Sequence, residues 1–239
     1  MEKLWNDLIN NAGFVAVVIG IIAALIAIAR LAEHFLPKSR QVTGTRRITI
    51  IAVCGAIAAL LHILDFPLLF LAPEFYKLDF SELPVMLCGF YLGPSAAIVC
   101  QALKILLKLL LKGTSTAFVG DFANFAVGCS MVLPALILYH IKKGKPAAIG
   151  GLALGTATMT IFGSAFNALY LLPTFAKMFM PMDAIIAAGS AIFPAVDSVW
   201  RLVLFCVAPL NLIKGLSVSI LTMLLYKRIA RPLFGLHKS

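Results

Sequence analysis

Long apolar runs, interrupted by short polar and basic segments, set the pattern of this chain. The runs are continuous rather than alternating, and a helix needs about 20 mostly apolar residues to span a bilayer. Residues 12–31 form the first run, followed by a basic linker with Lys38, Arg40, Arg46 and Arg47. Residues 48–66 form the second. A shorter piece, 83–92, is closed by Gly93-Pro94. Pro94 can open the next helix, since the first turn does not use the N–H that proline lacks. That helix is expected to run to about residue 111, where Lys112-Gly113 ends it. Residues 118–141 form a further span that ends in Lys142-Lys143-Gly144-Lys145-Pro146. A Gly- and Ala-rich run, 147–172, stops before Pro173. Residues 174–197, with Pro181, Asp183, Pro194 and Asp197, read as an outer loop with a short interfacial helix. The last span, 199–226, ends in Lys227-Arg228 and Arg231.

Composition agrees with the pattern. The 239 residues are 62% hydrophobic with a mean hydropathy of +1.01, well outside the range of soluble domains. In lipid the backbone must satisfy its own hydrogen bonds, and runs of this length do so as helices. The expectation is an all-α integral membrane protein. The net charge of +10 does not indicate nucleic acid, because the basic residues cluster between spans, where they set orientation. Counting seven spans puts the linker, the 142–145 loop and the tail on one side. The N-terminus is then outside and the C-terminus cytoplasmic. The five cysteines lie within apolar runs with no metal spacing and read as small buried hydrophobes. The N-terminus is polar and acidic and no small-residue cleavage site follows it, so the first run is expected to persist as a helix.

Charge is scarce enough that "YKLDFSELP", residues 76–84, stands out. Ser81 or Asp79 is a candidate N-cap and Pro84 falls in the first turn of the following helix. Polar side chains also recur inside or near the ends of spans, in "GDFANF" (120–125), "FNALYLLP" (166–173) and "PLNLIKG" (209–215). Each amide could bridge two helices as packing glue. Asn124, Asn167 and Asn211 together, all in the outer half, point instead to a shared pocket. Lys214 lies three residues from Asn211, on the same helical face. Lys104, Lys108 and Lys112 make a basic stripe. Snorkelling explains the latter two, and Lys104 is expected to pair with Asp121. His62 reads as an interfacial residue rather than a ligand.

These motifs, in this order and covering about residues 46–231, resemble the substrate-binding S components of energy-coupling factor (ECF) transporters, the riboflavin-specific ones above all. The resemblance implies a six-helix S-component core over 47–231. Residues 1–46 would then be an extension with one extra N-terminal transmembrane helix, and 232–239 a cytoplasmic tail. It implies a vitamin pocket near the outer face, lidded by the loop after the first core helix, with the charges of "KLDFSELP" facing water and ligand. Asn167, Asn211 and Lys214 would contact the flavin rings, and Leu78 and Asp79 would contribute from the lid.

The residue chemistry agrees. An isoalloxazine rim offers acceptors and an imide N–H that suit amides. Lys214 could donate to a ring carbonyl, and Phe166 and Tyr170 could wall the ring. Thiamine should demand a carboxylate and an aromatic box, and folate carboxylates should demand arginine. Other vitamins or flavins, flavin mononucleotide included, remain alternatives.

On the first core helix, Ala52 and Ala56 with Gly55 and Ala59 form a small-residue face that permits close helix approach. The resemblance implies that it docks the transmembrane coupling subunit, which two ABC-type ATPase subunits drive. The chain itself carries no GxxxxGK[ST] loop, HExxH or GxSxG elbow. It is therefore expected to bind riboflavin as cargo, with no cofactor and no catalysis. The rivals are an intramembrane lipid enzyme using Asp79, Glu82 and Lys104, and a secondary transporter working alone.

Overall fold

The computed structural model describes residues 12–35, 44–114, 116 and 118–234. In order, they form α1 (Ala12–Phe35), α2 (Gly44–Ile63), β1 (Phe66–Pro67), β2 (Lys77–Leu78), α3 (Glu82–Leu92), α4 (Pro94–Lys112) and α5 (Val119–Lys142). Then come α6 (Lys145–Phe166), α7 (Leu172–Met178), α8 (Met182–Ser190), α9 (Val199–Leu202) and α10 (Ala208–Phe234). Among the described residues, five helical stretches are long and apolar enough to cross a membrane: Gly44–Ile63, Pro94–Lys112, Val119–Lys142, Lys145–Met178 and Val199–Tyr226.

The expected breaks at Pro94 and Lys112 occur, but two others differ. The second apolar run leaves the helix at Ile63, because Phe66–Pro67 pairs antiparallel with Lys77–Leu78. The run before Pro173 does not stop there. A π-helical turn, Asn167–Leu171, joins α6 to α7, and the Leu172 N–H bonds to the Asn167 carbonyl five residues back. A second π turn, Val203–Val207, joins α9 to α10 just before Pro209, with the Ala208 N–H on the Val203 carbonyl. The wider turn makes room for a proline ring that would otherwise collide with the preceding turn. The short helix expected within 174–197 is α8.

The core gathers around α3, where Val85, Met86 and Cys88 are fully buried. Its 11 residues rise only about 16 Å, roughly half of a 30 Å hydrocarbon core. The preceding loop therefore dips into the bundle before α3 begins. Close approach of α5 and α6 depends on Gly151 and Gly155, which lie against the carbonyl oxygens of Ala135 and Met131 with no room for a Cβ. Helix α1 packs on α4 and α5, with Ala29 fully buried against a cluster of Ile98, Phe125 and Cys129. At that end the Glu33 carboxylate accepts both the Ser95 N–H (2.8 Å) and hydroxyl (2.7 Å), and Arg47 donates to the same hydroxyl at 2.9 Å.

Candidate functional site

The dip of the 64–81 loop brings "YKLDFSELP" inside. Asp79 is 2% exposed and Glu82 is 0% exposed, so of the three charges in that stretch only Lys77 faces solvent. The expectation that these charges face water and ligand is corrected at Glu82, which is buried beneath the cavity, whereas Lys77 and Asp79 are in its lining. The reason is length: α3 is too short to start at the surface. Asp79 folds back on its own segment, accepting the Ser81 N–H at 2.8 Å and the Ser81 hydroxyl.

Both carboxylates are neutralised. Lys214 Nζ lies 2.9 Å from Asp79 Oδ2 and 2.9 Å from Glu82 Oε2. Lys104, also 0% exposed, donates to the other Glu82 oxygen at 3.1 Å, to Ser81 Oγ at 2.9 Å and to Asn124 Oδ1 at 2.8 Å. His62 Nδ1 sits 3.4 Å from Asp79 Oδ2. Burial alone would raise the Asp79 carboxyl, but the Lys214 ammonium, the His62 contact and the Lys104 charge outweigh it and hold it well below the usual carboxylate range. The expected Lys104–Asp121 pair does not form. Asp121 pairs with Lys108 at 2.5 Å, because Lys108 stands one helical turn nearer the mouth. Lys112 reaches Asp65 at 3.0 Å.

Above this charged floor lies a cavity of about 240 Å³. Of the sequence-predicted residues, Asp79, Asn124, Asn167, Asn211 and Lys214 line it. They come from the loop, α5, the first π turn and α10. Asn167 accepts from the Tyr76 hydroxyl at 3.0 Å and donates to the Gly163 carbonyl at 2.7 Å. The Asn211 amide nitrogen is buried against Gly163 and finds no hydrogen-bond partner among the described residues.

Leu78, Phe166 and Tyr170 are not in the lining. Leu78 is buried in the strand pair opposite Phe66. Phe166 packs on Tyr170 (5.0 Å between ring centroids) and on Phe162 (5.6 Å), outside the cavity. Phe166, directly before Asn167, points about 100° away from it on the helix. The wider π turn swings Tyr170 off the face that a spacing of three would otherwise share with Asn167. The aromatic wall is instead Phe75, Tyr76 and Phe175, with Phe75 stacked on Phe175 at 5.9 Å. Sequence reasoning missed His62, Tyr76 and the aromatic pair. Phe75 and Tyr76 lie in the loop between spans beside the charged stretch, a usable signal, whereas His62 ends α2 and Phe175 sits in α7.

On α2 the small residues divide. Gly55 and Ala59 are buried, and a Cβ on Gly55 would meet Leu103 at 2.7 Å. Ala52 and Ala56 remain exposed, beside exposed Val53 and Ile57.

Comparison with known proteins follows the same outline. A family model described as the substrate-specific component of the ECF transporter matches residues 46–226. The riboflavin transporter RibU of Staphylococcus aureus is 35% identical over 185 residues, covering 77% of this chain and 90% of its own. The riboflavin transporter FmnP of Bacillus subtilis is 29% identical over 185 residues, covering 77% and 92%. A solved S component of a bacterial ECF transporter superposes with a TM-score of 0.62 at 34% identity, over 79% of this chain and 98% of its own. Helix α1 precedes the matched residues.

Proposed function

Because the chain belongs to the substrate-specific components of ECF transporters, we propose that it captures riboflavin from outside the cell and passes it inward only with partner subunits. Those partners would be a transmembrane coupling subunit and two ATPase subunits. Ala52 and Ala56 would meet the coupling subunit, on the one part of α2's small-residue face left uncovered. The core would be the six-helix bundle over 47–231, with α1 of the 1–46 extension as an additional transmembrane helix and 232–239 as a tail. The basic linker and the C-terminus would face the cytoplasm and the N-terminus the outside, by the positive-inside rule.

The observation that carries the reading is Asn211, which lines the cavity beside Lys214 and whose buried amide nitrogen has no partner among the described residues. A buried donor without a partner costs roughly 1–3 kcal/mol, and a ring carbonyl of a bound flavin would satisfy it. The floor is charge-balanced, which suits a neutral ring, and the aromatic wall suits its faces. Relatives named as riboflavin transporters support the same cargo. The volume of 240 Å³ is below the roughly 300–1,000 Å³ usual for such ligands, so the 64–81 loop is expected to shift as riboflavin enters. Asp79, Glu82, Lys104 and Lys214 are committed to one another, which supports a binding role over an enzymatic one.

Titrating the purified protein with riboflavin tests this. Saturable quenching of flavin fluorescence is expected, with thiamine and folate failing to compete. A protein that leaves riboflavin fluorescence unchanged, or that binds thiamine in preference, would overturn it.

A further inference from the structure

Glu82 takes no part in the cavity lining, yet each of its oxygens holds one lysine, Oε2 that of Lys214 at 2.9 Å and Oε1 that of Lys104 at 3.1 Å. Asp79 holds Lys214 from the other side at 2.9 Å. The formal charge of these four groups is two negative and two positive. His62 lies beside Asp79, and the Cys129 thiol lies near Lys104 and Glu82. Asp65, Lys77, the Tyr76 hydroxyl and the Lys108–Asp121 pair face the cavity as well. Lys104 and Glu82 are both fully buried, so water does not screen them, and a change in either charge is felt at Lys214. Lys214 is also the member of the group that reaches the cavity beside Asn211.

We infer that Glu82 is a positioning and specificity-determining residue: by holding Lys214 from below it keeps the cavity floor neutral, and so selects the neutral flavin ring over its imide anion. The inference rests on the riboflavin reading above. A floor with one uncompensated lysine would instead stabilise the ring once its imide nitrogen has lost a proton. The imide proton goes to solvent in that ionisation, and no other bond changes.

The test uses full-length protein in lipid nanodiscs loaded with riboflavin, and follows the absorption of the bound flavin as pH is raised. Three variants carry it: Glu82→Gln, Lys104→Met and the double replacement. Glu82→Gln leaves the floor one charge too positive, and should raise the acid dissociation constant of the bound imide by about tenfold or more, as expected for an opposite charge close by. Lys104→Met leaves it one charge too negative, and should lower the constant by a similar factor. The double variant restores neutrality and should return to within about threefold of the native protein.

A role in packing alone would not give shifts of opposite sign that cancel. If Glu82→Gln does not fold, the direction of the Lys104→Met shift decides, and a double variant shifted as far as Lys104→Met, instead of back toward the native value, would overturn the inference. Constants that match the native value in both single variants would overturn the inference while leaving riboflavin binding intact. Failure of the native protein to bind riboflavin would end the underlying reading and this inference with it.

Discussion

Replacing Asn211 with leucine separates a ligand-binding amide from packing glue. The amide nitrogen is buried against Gly163 and unpartnered among the described residues. In the empty protein it therefore contributes no hydrogen bond and carries a desolvation cost of roughly 1–3 kcal/mol. Leucine has a similar volume and no such cost. The empty variant should therefore unfold at the same temperature as the native protein or slightly above it.

Binding should move the other way. Losing one hydrogen bond to a ring carbonyl, in a site closed to water, removes about 1–2 kcal/mol. At 1.4 kcal/mol per factor of ten, that is about a 5- to 30-fold weaker Kd. Fluorescence titration and thermal unfolding in the same nanodiscs read both quantities. If Asn211→Leu lowered the stability of the empty protein by more than about 2 kcal/mol and left Kd unchanged, the amide would be holding helices together and the reasoning would fail.

Three other outcomes follow from the same geometry. Lys104→Ala strands Glu82 with half its partners in a dry interior, and should cost about 3–5 kcal/mol, measured by denaturant or thermal unfolding. Gly163→Ala places a Cβ 2.6 Å from the Asn211 amide nitrogen. The amide has to shift, so riboflavin binding should weaken several-fold by titration, at a stability cost of about 1–3 kcal/mol. The third concerns pH. Asp79 is held below the usual carboxylate range, the unfolded reference being about 3.9. Its stabilisation is complete above that reference and is lost only as pH falls through the lower folded value. Melting curves recorded from about pH 8 down to pH 5 should show no loss of Tm from this group.

Much of the bundle was legible because the bilayer imposes one length and one backbone solution. Pro94, Lys112 and the Lys142 cluster marked their helix ends to within a residue or two. The shared face of Asn211 and Lys214 was also readable, since three residues is less than one helical turn. What escaped was anything that departs from the regular α-helical repeat. Pro173 reads as a terminator, yet a π turn before it carries the helix on, and the similar turn before Pro209 left no mark in the apolar pattern. The first of these turns explains why Tyr170, three residues after Asn167, does not share its direction. The pairing of Lys104 with Glu82 was hidden for a different reason. It depends on how deep α3 begins, and no local pattern encodes depth.

The staple of Glu33 onto Ser95 has a practical corollary for anyone trimming this protein. The matched region starts at residue 46, which invites a shortened version cut there. Such a cut would strip the acceptor from the Ser95 N–H and lay Ile98, Phe125 and Cys129 bare to whatever detergent or lipid surrounds them. The leading helix is part of the wall, and a shortened protein would leave that seam open.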